Sequence, residues 1–256
     1  MKVLFLRFDA PLMSFGSVVV DQHNRTDAFP YRAMLTGLIA NALGLTRRDE
    51  ELQERLQARL RYAARRDRRG TNVVDYQTVD FSQSYMDSRL AWTTRGRLEE
   101  RKGGGASEGT HIRYRHYLAD AIVTVALTLD PEGEEPTLDD VKRAIEAPAR
   151  PLFLGRKACI PSGPVLVGEM EASSLRQALE QFPRVGPVRA GGKPRSDSGA
   201  LPAIWHESEG REDEERTRLF PRVEDRDMAN SIHVGRRIYV EGTVNPGFAE
   251  STREGA

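Results

Sequence analysis

An eight-residue run, Thr110-His111-Ile112-Arg113-Tyr114-Arg115-His116-Tyr117, interleaves cations, imidazoles and phenols. In an extended backbone side chains alternate, so Arg113 and Arg115 share one face while Ile112, Tyr114 and His116 share the other. That arrangement sets phosphate-binding charge beside stacking rings, as recognition of single-stranded RNA requires. A basic edge strand that guards against aggregation carries the same pattern, and these residues leave both readings open. His116 also offers an imidazole whose pKa lies near neutral pH, which suits general acid or base work in a metal-free ribonuclease, although a lone histidine is more often structural. Further on, Gly155-Arg156-Lys157 follows the apolar Leu152-Phe153-Leu154. A tight turn with two cations and free N–H groups can hold a phosphate; it can equally be an ordinary exposed turn. Asp75-Tyr76-Gln77-Thr78-Val79 joins a strand-like aromatic to an amide able to read a base edge, with packing as the other role for Tyr76.

Other chemistries lack their residues. The five histidines (His23, His111, His116, His206 and His233) form no cluster of zinc-ligand spacing, and Cys159 is the single cysteine, so neither a metal nor an internal disulfide is expected. Gly103-Gly104-Gly105 sits in an Arg-rich loop without the strand before and helix after that a phosphate loop needs. No nucleophile elbow occurs and the carboxylates are scattered, so the sequence implies no cofactor and no standard hydrolase.

The chain has 256 residues, 38 basic against 38 acidic side chains and 39% apolar content, which describes a soluble globular protein of one large or two small domains. One cysteine points to a reducing compartment. Met1-Lys2-Val3-Leu4-Phe5-Leu6-Arg7 is too short and too soon charged for a signal peptide, and no apolar run approaches the ~18 residues of a spanning helix. A cytoplasmic protein without a membrane partner is expected. The neutral total hides a basic segment: residues 47–118 hold 16 Lys/Arg against 11 Asp/Glu. Of the basic residues 33 are Arg and 5 are Lys, which suits bidentate phosphate and base contacts; a GC-rich genome gives the same bias.

Several elements must position these groups. Lys2 to Phe8 is almost wholly apolar and reads as a buried, central strand. Leu35, Leu38, Ile39, Ala42 and Leu43 recur at helical spacing, with starts at Asp27 or Pro30 and a stop at Gly44. Asp49 to Leu60 is a second amphipathic helix, and Leu60 to Arg69 a strand with a basic face. Gly70 to Tyr117 has little core periodicity and reads as a projecting hairpin with a glycine tip. Ala119 to Leu129 is the strongest strand, Leu138 to Ala147 a short helix, Pro164 to Met170 a strand and Ser174 to Phe182 a short helix. Later come a loop at Gly191 to Gly199, strands at Arg218 to Val223 and Ile232 to Val240, and a frayed tail from Asn245. The order predicts an α+β fold: an RRM- or ferredoxin-like antiparallel sheet with two helices on one face, a long hairpin insertion and a C-terminal β-rich extension.

Five segments in register carry a family resemblance. They are Ala10-Pro11-Leu12-Met13-Ser14-Phe15-Gly16; Phe29-Pro30-Tyr31-Arg32 with Ala42-Leu43-Gly44-Leu45; Asp75 to Val79; Arg115-His116-Tyr117-Leu118-Ala119-Asp120-Ala121; and Pro151 to Cys159. Together they resemble the CasD family, the RAMP-superfamily subunit of the type I-E CRISPR complex called Cascade, over roughly residues 1 to 170. The acidic stretch Glu207 to Asp227 has little echo in that family and reads as a surface insertion.

The resemblance implies an RRM-like domain over residues 1–185, with a thumb at about 70–117 and an extension over 186–256. It implies a non-catalytic subunit that caps the repeat-derived 5′ handle of crRNA, its thumb on the Cascade backbone subunit and the large subunit docked nearby. By position, Ser14, Phe15, Tyr31, Arg32, Gln77, Arg113, Arg115, His116, Arg156 and Lys157 are the implied handle contacts. A related subtype whose homologous subunit cleaves precursor crRNA with Tyr, Lys and His gives the rival reading, an endoribonuclease using Tyr31 and His116. Here Arg115 stands where that chemistry wants Lys. Arg stays protonated and exchanges protons poorly, so binding is favoured over cleavage. A generic basic scaffold, the third reading, would bind any single strand equally.

Overall fold

The computed structural model describes residues 1–16, 21–80, 90–92, 98–100, 110–184, 199–211, 215–223, 225–230 and 232–247. The glycine tip at 103–105, most of the 191–199 loop, and most of the tail expected after Asn245 lie outside those residues.

Strand β1 (Lys2–Asp9) leads to helix α1 (Arg32–Ala42), helix α2 (Glu50–Arg59) and strand β2 (Leu60–Arg68). Strands β3 (Thr71–Asp80) and β4 (Thr110–Ala119) follow, then β5 (Ile122–Leu129), helix α3 (Leu138–Glu146), β6 (Leu166–Glu171) and helix α4 (Leu175–Gln181). Strands β7 (Leu201–His206), β8 (Arg218–Arg222) and β9 (Arg237–Val244) complete the larger elements. Seven strands form the main sheet in the order β6-β1-β5-β2-β7-β9-β8. Every neighbouring pair in it is antiparallel. The chain is therefore a mixed α/β protein built on antiparallel sheets, with β1 buried between β6 and β5, second from one edge of the sheet instead of at its centre.

Alternation divides the core into two layers. Leu4, Leu6 and Phe8 of β1 pack with Tyr62, Val125 and Leu127 beneath Leu35, Leu38 and Ile39 of α1 and Val141 and Ile145 of α3. Val3 and Phe5 point the other way, with Ala63 and Ala126, against Leu175, Ala178 and Leu179 of α4 and Trp205, Val240 and Val244. The sheet is thus covered on both faces, not one, which explains why all eight residues of β5 are buried and its sequence is apolar without alternation. Each fully buried Leu, Val or Phe contributes roughly 1.5–3 kcal/mol over its exposed state. Helix α3 starts on a capping box in which the Thr137 hydroxyl accepts from the Asp140 N–H and the Asp140 carboxylate accepts from the Thr137 N–H.

The sequence reading misplaces three features. The Ala119 to Leu129 strand is broken where Asp120 takes φ +54°, and the Ile232 to Val240 strand where Gly235 takes φ +70°. Glu207 to Asp227 is no detached surface insertion: it contains β8, which pairs with β9 in the main sheet, and its Arg222 is buried. Strand β7 joins this same sheet through Ala203 and Ile204 against Arg65 and Ala64.

A second sheet grows from the first at one bend. Past Arg68 and before Ile122 the antiparallel β2–β5 pair continues as the β3–β4 pair, ten residues long, from Thr71 opposite Ala119 to Asp80 opposite Thr110. The bend needs left-handed backbone at Asp120 and at Gly70 (φ +67°), where a Cβ would lie 2.5 Å from the Ala119 carbonyl oxygen and 2.7 Å from Ala121 Cβ. Substituting Gly70→Ala is expected to destabilise the protein by ~2 kcal/mol or more, from left-handed strain plus overlap with backbone. Thermal unfolding would read this as a fall in Tm; an unchanged Tm would show that the bend tolerates a side chain.

Candidate functional site

Strand β4 carries the basic aromatic run and is held on both edges. β3 lies along one; Leu12–Met13 (antiparallel) and His23–Asn24 (parallel) take the other. Register sets Gln77 opposite Arg113 and Asp75 opposite Arg115, with Tyr76 opposite Tyr114 and Val74 opposite His116 on the alternate positions. His23 stacks on Tyr114 with centroids 4.5 Å apart and planes 7° from parallel, and Tyr76 tilts against Tyr114 at 5.3 Å. His23 Nδ1 lies 3.4 Å from His116 Nε2. Burial first, then the neighbouring His23, Arg25 and Arg156, holds His116 below the usual histidine range. On the other face Gln77 Nε2 donates to Asp75 Oδ2 at 2.5 Å, Arg113 is exposed and Arg115 half-buried.

Three segments meet beside this ladder. The Ser14 N–H donates to the Leu154 carbonyl at 3.1 Å and the Ser14 hydroxyl to the His116 carbonyl at 3.3 Å. Arg156 donates from Nη1 to that same His116 carbonyl at 3.1 Å and from Nη2 to the Asn24 carbonyl at 2.9 Å, its guanidinium 4.6 Å from the Tyr117 ring centroid. Arg156 thus ties the 154–159 turn to β4 and to His23–Asn24, a use of the guanidinium fork that Lys could not reproduce. Gly155 (φ +101°) lets the turn approach: a Cβ there would overlap the Ser14 carbonyl. Lys157 is exposed beside it.

A groove of about 370 Å³ opens next to this junction. Its floor is the outward face of α1, where Ala33, Gly37 and Asn41 recur at i+4 with Met34 between them. Ser14, Gly155 and Arg156 line one side, and Tyr31, Arg226 and His233 are also on its wall.

Tyr31, Phe15 and Arg32 are turned inward to different degrees. Phe15 is fully buried, 6.0 Å from Phe8 between ring centroids. The Tyr31 hydroxyl donates to the Asp27 carboxylate, and Arg222 sits 3.7 Å from the Tyr31 ring centroid. Burial first, then that hydrogen bond, pushes the Tyr31 phenol up to about 12. Arg32 is 2% exposed and forms an ion pair with Asp225, its Nε donating to Asp225 Oδ1 at 2.7 Å. Of the ten residues singled out in the sequence, Ser14, His116 and Arg156 therefore meet directly; Gln77, Arg113 and Arg115 lie on the adjoining ladder; Tyr31 and Lys157 flank the groove and its turn; and the Phe15 and Arg32 side chains face protein. The sequence reading did not find His23, Asn24, Arg226 or His233. His23 and His233 were visible as histidines, but only the parallel pairing and the late hairpin bring them here.

Comparison with known proteins places this geometry. The family model described as CRISPR-associated protein (Cas_Cas5) matches residues 3–244. The CRISPR system Cascade subunit CasD of Escherichia coli (strain K12) is 30% identical over 183 residues, 72% of this chain and 78% of that one. Among solved structures, a chain of a CRISPR RNA-guided surveillance complex superposes with a TM-score of 0.64 at 26% identity, over 98% of this chain and 95% of that one. A crystal structure of a Cas protein gives 0.61 at 26%, over 96% and 98%.

Gly155→Ala is expected to part the 154–159 turn from Ser14 and to lower Tm, by roughly 2–4 °C for each kcal/mol of stability removed from a chain of this size. Gly16→Ala is the control, since a Cβ there meets nothing within 4 Å. Equal melting of the two variants would contradict the close approach.

Proposed function

The chain belongs to the CRISPR-associated protein (Cas_Cas5) family and is a homologue of a Cascade subunit, and we propose that it binds the repeat-derived 5′ handle of crRNA and caps it without cutting. The observation that carries this reading is the convergence, on one ladder and one turn, of Arg113, Arg115, Arg156 and Lys157 with the His23 ring stacked on Tyr114 and the Tyr76 ring tilted against it. Cations neutralise backbone phosphates and fix register; rings and the Gln77 amide meet splayed bases. A handle of fixed sequence is thereby distinguished from the variable spacer that follows it.

We read residues 1–185 as the RRM-like domain, supported by the order β6-β1-β5-β2, which is the fourth, first, third and second strand of a β-α-β-β-α-β unit. Residues 70–117 form its thumb. The thumb packs on the backbone subunit of the complex and the large subunit docks nearby. Val73 and Val74, which are 40% and 50% exposed on opposite faces of β3, leave that strand apolar surface for such an apposition.

Cleavage is the weaker reading on this geometry. Its nucleophile or base would be Tyr31, whose phenol is engaged by Asp27 and stays protonated near neutral pH, and position 115 carries Arg where that chemistry wants Lys.

Incubating the full chain in EDTA with labelled repeat RNA and a scrambled strand tests both readings together. Selective retention without a cut is expected. Arg113→Ala and Lys157→Ala should each weaken binding and flatten the log–log salt dependence by about 0.7 for each phosphate that is no longer neutralised. A discrete cut abolished by His116→Ala would replace capping with the ribonuclease reading, and equal binding of both strands would leave only a basic scaffold.

A further inference from the structure

Arg226 and His233 stand on two short strands, Asp225–Asp227 and Ile232–Val234, that pair as an antiparallel hairpin late in the chain. Nothing in their local sequence sets them near α1. Two clips do. Arg32, from the first turn of α1, forms its ion pair with Asp225. From α2, the Gln57 Nε2 donates to the Arg226 carbonyl at 3.0 Å, and Gln57 Oε1 accepts from the Arg226 N–H at 2.9 Å. Both backbone groups of Arg226 are thus held while its side chain is exposed along the groove, with no acidic partner among the described residues.

The groove so closed has a definite chemistry. Among the described residues no Asp or Glu lines it, and Arg156 and Arg226 both do. The floor is open and mostly apolar, with Asn41 at one end, because Ala33 and Met34 are small or adaptable and Gly37 has no side chain; a Cβ at Gly37 would meet nothing within 4 Å. His233 lines the groove and its buried Nδ1 has no hydrogen-bond partner among the described residues. Burial first, then Arg226, holds that imidazole below the usual histidine range, so it is a neutral donor or acceptor according to tautomer. A volume of about 370 Å³ falls within the roughly 300–1,000 Å³ of small-ligand sites.

We infer that this groove seats one flipped-out nucleobase of the bound RNA, with the base on the α1 floor at Gly37, a flanking phosphate on Arg226 and the base edge on His233. A floor left open at Gly37, cations on the rim and a hydrogen-bonding imidazole without a partner suit an unstacked ribonucleotide. Arg32 is then a positioning residue that holds the hairpin wall. The inference rests on the RNA-binding reading and deepens it.

The test measures affinity of the full chain for the labelled repeat RNA and the scrambled strand over a range of salt. Gly37→Leu puts a side chain into the floor at a position where its Cβ meets nothing within 4 Å, and exchanges a poor helix former for a good one. It is expected to keep or raise Tm while weakening repeat binding about tenfold. Arg226→Ala should weaken binding and reduce the salt slope by about 0.7. His233→Ala should leave the slope unchanged and narrow the gap between repeat and scrambled RNA. If Gly37→Leu and Arg226→Ala bind as wild type while Arg113→Ala or Lys157→Ala binds worse, the groove is not a base site and the RNA-binding reading stands. If wild type itself does not prefer the repeat strand, that reading fails and takes the inference with it.

Discussion

One antiparallel ribbon, bent where Gly70 approaches the Ala119 carbonyl and Asp120 takes left-handed backbone, carries the two larger sheets of this protein. Below the bend its two strands, β2 and β5, are buried in the core and covered on both faces. Beyond it they emerge as β3 and β4, where Tyr76, Arg113 and their neighbours meet solvent. Everything at the candidate site is referred to this ribbon. Leu12–Met13 and His23–Asn24 pair on the free edge of β4, and the 154–159 turn hangs on the His116 carbonyl through Arg156. A rigid sheet below fixes the placement of the mixed polar ladder above, which has little core of its own.

Arginine does two jobs that composition cannot separate. Arg113 is exposed, with one donation from Nη1 to the Asp21 carbonyl at 3.4 Å. Others are internal cross-links. Arg65 is fully buried among the Asp67 carboxylate and the Leu179 and Phe182 carbonyls, pinning the end of α4 to β2. Arg222 donates to the Phe29 and Pro30 carbonyls, both at 3.0 Å, and fixes the approach to α1 from β8. A guanidinium with five donors in a plane satisfies several chain-end carbonyls at once, where an ammonium would leave some unmet. Removing such a partner strands buried polar groups, at about 1–3 kcal/mol each, so these positions hold the fold whatever the RNA does.

The C-terminal segment takes part in both structure and site. Through β7, β8 and β9 it widens the main sheet, and Trp205, Val240 and Val244 complete the second core layer. Its hairpin at residues 225–234 is tied to α1 and α2 and walls the groove. A helix face that carried Ala33, Gly37 and Asn41 without this wall would be an open, weakly polar surface.

Much of the fold was legible in residue order, because period-2 and period-3.6 apolar patterns are local properties of the chain. The apolar run of β1, the Leu35 to Leu43 stripe of α1 and the β-branched run of β5 each imply their element and burial, and the order strand, helix, strand, hairpin insertion, strand, helix, strand implies an antiparallel sheet. The alternation of Arg113 and Arg115 against Tyr114 and His116 is likewise a local consequence of extended backbone. What was not legible depends on residues far apart in sequence. Whether Arg32 faces RNA or protein is decided by Asp225, 193 positions away; whether α1 borders a groove is decided by a hairpin that Gln57 clips; and whether His23 joins His116 is decided by a parallel pairing of two residues. Side-chain type sets what an arginine or histidine is able to do, but burial and partner choice set what it does. Those come from long-range packing, which no short window of sequence contains.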